Sequence, residues 1–195
     1  MKLIAVSQRS DYDENHHESR DALDQRWLDF FLQCNLIPLL IPNSLIHVKN
    51  LITKVQLDGI LLTGGKDSLE RNNTEHFLLE LAHQKKLPLF GVCHGMQFIQ
   101  KFFGLTLNKI SNHVCENQEI IVNGKCEMVN SYHDFGTTET NQELTVWARA
   151  HDGIVKAIKH VTLPIFGIMW HPERLTPFVQ RDIKLVHHIF FEHCL

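Results

Sequence analysis

The residues best suited to chemistry lie at Gly91-Val92-Cys93-His94-Gly95. The run ends a wholly apolar stretch over residues 88–92 and opens a helical period over residues 95–103. A nucleophile flanked by glycines at a strand-to-helix junction sits on a tight turn that pushes it out at the sheet edge. The N-terminus of the following helix favours thiolate over thiol. The backbone N–H of His94 would then face the oxyanion formed on an attacked carbonyl. The plainer alternative is a core cysteine in a glycine-rich turn.

A second group, Trp170-His171-Pro172-Glu173, follows the apolar run 165–169. Pro172 biases His171 toward extended backbone, and residues two apart in an extended segment point to the same side. Glu173 would thus hold one ring nitrogen of His171 and leave the other facing a thiol, the nucleophile–base–orienter chain of covalent catalysis. The alternative is a strand-end turn with a solvated glutamate. A third group, Thr63-Gly64-Gly65, follows the apolar run 59–62. Glycines there let a backbone N–H approach a reacting oxygen, and Gly64 is expected to supply the second oxyanion donor.

These groups need a scaffold that gathers strand ends. Residues 3–7, 36–41, 59–62, 88–92 and 164–169 read as apolar strands, and residues 46–55, 74–84, 95–103 and 177–193 as helices. A further helix is expected from Ser19, as its cap, to about Cys34, with Leu23, Trp27, Phe30 and Phe31 as its apolar stripe. Asn123-Gly124 between residues 119–122 and 126–129 signals a β-hairpin. Apolar strands alternating with helices predict an α/β fold: a doubly wound, mostly parallel sheet with helices on both faces and a small antiparallel excursion. Open sheets of this kind bind ligands at the carboxyl ends of their strands.

The chain's 195 residues suit one domain spanning residues 1–195. Its net charge of −3 argues against a nucleic-acid partner, which calls for a dense Lys/Arg face. An anionic small molecule needs only one or two cations. No apolar run approaches the ~18–20 residues of a membrane span, and residues 1–7 read as a strand rather than a signal peptide. The five cysteines, Cys34, Cys93, Cys115, Cys126 and Cys194, are odd in number and form no CxxC pair, which points to free thiols in a reducing cytoplasm. The fourteen histidines include no HExxH, and none forms a Cys/His pair at ligand spacing, so no metal is expected. The adjacent pairs His16-His17 and His187-His188 read as exposed or locally bonded rings.

Taken in order, Leu62-Thr63-Gly64-Gly65, Gly91-Val92-Cys93-His94-Gly95-Met96-Gln97, Val129-Asn130-Ser131-Tyr132-His133 and Trp170-His171-Pro172-Glu173 resemble the class I glutamine amidotransferase superfamily. The match is most similar to its free-standing γ-glutamyl hydrolase branch and covers nearly the whole chain. The resemblance implies a flavodoxin-like sheet and a triad of Cys93 (nucleophile), His171 (base, then acid) and Glu173 (orienter). It also implies an oxyanion hole at Gly64 and His94 and no cofactor. Gly65, Gln97 and the segment Tyr132, His133, Asp134 and Phe135 would hold the glutamyl group. His133 is followed by Asp134-Phe135-Gly136, where relatives near the γ-glutamyl-aminobutyrate hydrolases usually carry His-Gln or Gln-Gln; this bears on amine-side selectivity.

The polar opening over residues 7–27 looks similar to that of γ-glutamyl-CDP-amidate hydrolases of capsule phosphoramidate biosynthesis. That resemblance implies a γ-glutamyl small-molecule substrate bearing a nucleotide, with Arg9 and Arg20 at its phosphates, since guanidinium suits bidentate phosphate contacts. The alternative for these arginines is a solvated helix face laced with Arg/Asp pairs. The alternatives for the activity are a γ-glutamyl-aminobutyrate-type hydrolase and a glutaminase subunit that delivers ammonia to a separate synthase; a synthase partner is not expected. A non-catalytic binding module is opposed by the joint presence of Cys93, His171 and Glu173.

Overall fold

Strand β1 (Lys2–Ser7) leads into a hairpin of β2 (Arg9–Asp13) and β3 (Glu18–Ala22), then α1 (Arg26–Gln33), β4 (Leu36–Ile41), α2 (Leu45–Ile52) and β5 (Gly59–Leu62). Next come α3 (Leu69–Lys85), β6 (Leu89–Val92), α4 (His94–Phe102), β7 (Asn108–Lys109), β8 (Val114–Val122), β9 (Lys125–Tyr132) and β10 (Phe135–Gly136). The chain continues through β11 (Leu144–Ala150), β12 (Val155–His160), β13 (Ile165–Ile168), a 3-10 turn (Pro172–Arg174) and α5 (Gln180–His187), which runs on into a π-helical turn (His188–Glu192). This computed structural model describes residues 1–192. The end of the predicted closing helix, His193, and Cys194 lie outside the described residues.

Nine strands form the main sheet in the order β4-β1-β5-β6-β13-β12-β11-β8-β9. The five from β4 to β13 are parallel; the other four join antiparallel. Gly-Ile-Leu-Leu of β5 and Leu-Phe-Gly-Val of β6 are buried throughout, as strands covered on both faces must be. One face packs under Trp27, Phe30 and Phe31 of α1 with Val186 and Phe190 from the C-terminal helix. The other packs under Val48, Leu78, Leu79, Met96 and Ile99 from α2, α3 and α4. The fold is therefore the doubly wound, flavodoxin-like α/β architecture expected.

The antiparallel hairpin is continuous with the core sheet. Asn123 and Gly124 both take positive φ, 48° and 81°, the signature of a type I′ turn. β8 then pairs with β11, and β11 with β12. β12, Val-Lys-Ala-Ile-Lys-His, has no uniform apolar run to betray it, yet Lys156 is buried within it.

The helix expected from Ser19 is not there. Ser19 lies in β3, opposite Tyr12 of β2. Asp13 closes the hairpin turn by accepting the N–H groups of Asn15 and His16 at 2.9 and 3.2 Å. Glu18–Ala22 offers no apolar stripe for a helix to bury. The helix starts later, where the Asp24 carboxylate accepts the Arg26 N–H at 3.0 Å. Trp27, Phe30 and Phe31 form its apolar face as expected, whereas Leu23 precedes the helix and packs against the same core.

Candidate active site

The carboxyl ends of β1, β5, β6 and β13 bring the three motifs together. Cys93 lies between β6 and α4 with φ 52° and ψ −103°, a conformation side-chain-bearing residues seldom adopt. Its N–H is tied to the Ile168 carbonyl at 2.8 Å, and its own carbonyl accepts the Gln97 N–H at 3.0 Å. A Cβ on Gly95 would collide with the backbone and side chain of Leu62, so only glycine lets α4 cross β5 this closely. The strained elbow and its small neighbour are thus both present. Cys93 is 5% exposed, and its thiol points at the Tyr132 carbonyl, 4.0 Å away.

His171 is extended (φ −109°, ψ 96°) and Nδ1 of its ring lies 2.8 Å from Oε1 of Glu173. The route differs from the expected one. Pro172–Arg174 forms a 3-10 turn, so Glu173 reaches the ring by curling back rather than by sharing the side of a strand. Asn130 secures the backbone of His171 from both sides: Oδ1 accepts its N–H at 2.7 Å, and Nδ2 donates to its carbonyl at 2.8 Å. Burial alone would lower the imidazole pKa. Hydrogen bonds with Cys93 and Glu173, and their negative charge, reverse this and raise it to about 9. The arrangement can therefore hold a protonated imidazole at neutral pH.

Gly64 abuts His171; a Cβ there would come within 2.5 Å of the ring's Cε1. The carbonyls of Thr63 and Gly64 turn toward Arg71, which donates to them at 2.7 and 3.3 Å. In trans peptides the next N–H points the opposite way, so those of Gly64 and Gly65 face away from Arg71. Arg71 also donates to Oε1 of Glu75 at 2.8 Å, while Oε2 of Glu75 meets Nε2 of His94 at 2.8 Å. Ser7 Oγ donates to the same carboxylate at 2.7 Å. One buried Arg71–Glu75 pair thus ties the glycine loop to the residue after Cys93. Burial pushes the Glu75 carboxyl up, but the Arg71 charge and the bonds from His94 and Ser7 outweigh it and hold its pKa below the ordinary range.

A model of the class-I glutamine amidotransferase family matches residues 14–182. The chain belongs to that family. Among curated relatives, it is 30% identical over 186 residues to a γ-glutamyl-CDP-amidate hydrolase of Campylobacter jejuni, an alignment covering 88% of this chain and 90% of that protein. It is 26% identical over 151 residues to a glutamine-hydrolyzing GMP synthase subunit of Methanococcus aeolicus, covering 69% and 73%. Its fold matches the crystal structure of a Thermoplasma acidophilum protein assigned as a GMP synthase subunit, with a TM-score of 0.73 at 21% identity, over 99% of this chain and 96% of that one. Membership in this family supports an amide hydrolase.

In this family member a cavity of about 380 Å³ opens on Cys93, lined by Gly65, Gln97 and Tyr132, and by His133, Asp134 and Phe135. The residues expected to hold a glutamyl group therefore line the same cavity as the thiol. Gln97 Nε2 donates to the Phe135 carbonyl at 2.9 Å. Arg9 lines an adjoining narrow cleft with Gly64, His171 and Glu173, its guanidinium on Asp11 at 2.8 Å. Arg20 lines neither space: the hairpin turns it onto Asp13 and Glu18 at 2.7 and 2.5 Å. The Arg/Asp-laced polar face, the alternative for these arginines, is carried by a hairpin rather than a helix.

Sequence reasoning missed Arg71, Glu75, Asn130 and Lys156. Arg71 and Glu75 were detectable as an i,i+4 pair behind the cap Ser68, although nothing local marks them as buried. Glu119, Cys126 and His151 meet on the exposed surface of the antiparallel half, a grouping invisible to ligand-spacing rules because three separate segments supply it. None of the three lines the Cys93 cavity. Cys34 is a core thiol whose pKa burial pushes up to about 12. Among the described residues, no helix is long and apolar enough to cross a membrane.

Proposed function

We propose that this chain hydrolyses the γ-glutamyl amide bond of a small-molecule conjugate. The observation that carries the reading is the strained Cys93 elbow set beside an imidazole whose other nitrogen is fixed by Glu173 at 2.8 Å. The Cys93 thiolate attacks the γ-carbonyl carbon, and negative charge collects on its oxygen, faced by the N–H of His94 and of the Gly64-Gly65 turn. The C–N bond breaks as the His171 imidazolium gives its proton to the leaving nitrogen. A water then gives a proton to neutral His171 and attacks the glutamyl thioester, releasing glutamate and restoring the thiolate–imidazolium pair. Gln97 and the Tyr132–Phe135 segment hold the glutamyl α-amino and α-carboxylate groups.

The substrate this reading favours is γ-glutamyl-CDP-amidate, hydrolysed to cytidine diphosphoramidate in capsule phosphoramidate assembly. It is supported by the 30% identity to the Campylobacter jejuni hydrolase across most of both chains. The similarity to a separate GMP synthase subunit favours a second reading, a glutaminase that serves a synthase. Assaying the isolated protein on γ-glutamyl-CDP-amidate, γ-glutamyl-aminobutyrate and glutamine separates them. Rapid turnover of the nucleotide amidate without a partner is expected; idling on all three until a synthase is added would replace the first reading with the second.

A further inference from the structure

Arg174 directly follows Glu173 and borders three spaces: the Cys93 cavity, the Arg9 cleft and a third, open cavity of about 620 Å³. The third is polar, and Arg26, Arg174, Glu116, Asn117, Asn130 and Tyr132 line most of it. Tyr132 connects it to the site. Its ring meets the His171 ring edge-on at 5.9 Å, and the Arg174 guanidinium lies 4.8 Å over its face. The order His171, Tyr132, Arg174 therefore runs outward from the group that must protonate the leaving nitrogen.

Both guanidiniums have donors to spare. The Arg174 guanidinium donates no hydrogen bond to a described residue; Oε1 of Glu173 is 3.5 Å from its buried Nε, and its Nη groups remain for a ligand. Stacking on Tyr132 limits the motion of the fork without using its N–H groups. Arg26 is held by Asp24 through Nε at 3.1 Å and Nη2 at 2.5 Å, which leaves Nη1 pointing elsewhere. A carboxylate that grips one edge of a guanidinium presents the other to a ligand. Two forks of this kind match the oxygens of two linked phosphates.

The geometry points to this cavity as the leaving-group subsite, with Arg26 and Arg174 holding the diphosphate of a γ-glutamylated nucleoside-diphosphate amine. His171, which must protonate the leaving nitrogen, lines the Cys93 cavity with Gln97, and the third cavity adjoins that space through Tyr132 and Arg174, which line both. Glu116, the one carboxylate in the lining, repels phosphate and suits a hydroxyl or amino donor of the nucleoside. Arg20, buttressed within its hairpin, has no part in it. The assignment rests on the γ-glutamyl hydrolase reading for the chemistry at Cys93, but its test does not require turnover.

Calorimetry of Cys93→Ala protein with CDP and with inorganic pyrophosphate measures the subsite directly. Arg26→Gln and Arg174→Gln, each introduced into that protein, should both weaken CDP binding at least about tenfold, the usual consequence of losing a charge-assisted contact. Thermal melting verifies that each variant is folded. In the active protein the ratio of kcat/KM for γ-glutamyl-CDP-amidate to that for γ-glutamyl anilide should fall by a similar factor, since general damage to catalysis cancels in the ratio. Absence of CDP binding, or unchanged affinity in either variant, overturns the subsite. Arginine-dependent CDP binding without any γ-glutamyl turnover would keep the subsite and sink the hydrolase reading; turnover without arginine-dependent binding would do the reverse.

Discussion

Nζ of Lys156 lies 2.6 Å from Nε2 of His133, both of them buried behind the cavity that opens on Cys93. Nδ1 of the same ring faces the Phe135 carbonyl at 2.9 Å and must donate to it, so Nε2 accepts from the lysine. The Phe135 carbonyl also receives Gln97, and a chain of hydrogen bonds runs from a buried cation to Gln97 in the lining of that cavity. Burial and the Lys156 charge drive the His133 pKa down to about 3, which keeps that tautomer neutral; burial brings Lys156 down to about 8.

Replacing Lys156 by Met should therefore loosen the segment Tyr132–Phe135 while leaving Cys93, His171 and Glu173 in place. Losing a charge-assisted hydrogen bond costs roughly 1.5–3 kcal/mol. KM for γ-glutamyl substrates is expected to rise about tenfold or more, with kcat changed by less than about threefold. Steady-state kinetics decides; an unchanged KM would mean the segment is held without Lys156.

The pKa of His171, about 9 against an ordinary 6.5, sets two pH dependences. The folded protein holds this proton more tightly than the unfolded chain. Its contribution to stability is complete below pH 6.5 and disappears as pH rises through about 9. Turnover should also decline near that value, because the leaving amine needs the same proton. Glu173→Gln removes a supporting charge and should shift the alkaline limb of kcat/KM toward neutral pH while retaining more activity than His171→Asn. A limb that stays in place would separate Glu173 from the proton transfer.

Cys93→Ala should abolish turnover in a folded protein. The backbone angle also predicts an order of stabilities. At φ 52° a Cβ is strained, so Cys93→Gly should exceed Cys93→Ala by about 1 kcal/mol in urea unfolding. The opposite order would show that the elbow holds no strain.

Arg71→Met leaves Glu75 charged and buried, and uncompensated charges of this kind cost about 3–5 kcal/mol. Arg71→Met combined with Glu75→Leu should recover part of that loss in urea unfolding. The double variant should still turn over slowly, because the carbonyls of Thr63 and Gly64 have lost the donor that turns their peptides. Full activity in it would mean the glycine loop needs no such anchor.

What the sequence determined by itself is local and short in range. An apolar run ending in Gly-x-Cys-x-Gly must become a strand, a tight turn and a helix, because the steric rules act over five residues. Asn123-Gly124 specified its hairpin for the same reason. The Ser19 helix failed because hairpin and helix compete there on weak local preferences, and pairing between β2 and β3 decided. Tertiary structure alone decided what Lys156, Arg71 and Arg26 do. Long polar side chains look solvated in any sequence, and their roles depend on which buried carbonyl, carboxylate or cavity the fold brings to their charged ends. The meeting of Cys93, His171 and Glu173 could be read because each sits in a rigid motif. The leaving-group side could not, because Arg26, Tyr132 and Arg174 come from three distant segments that meet only when the sheet has closed around them.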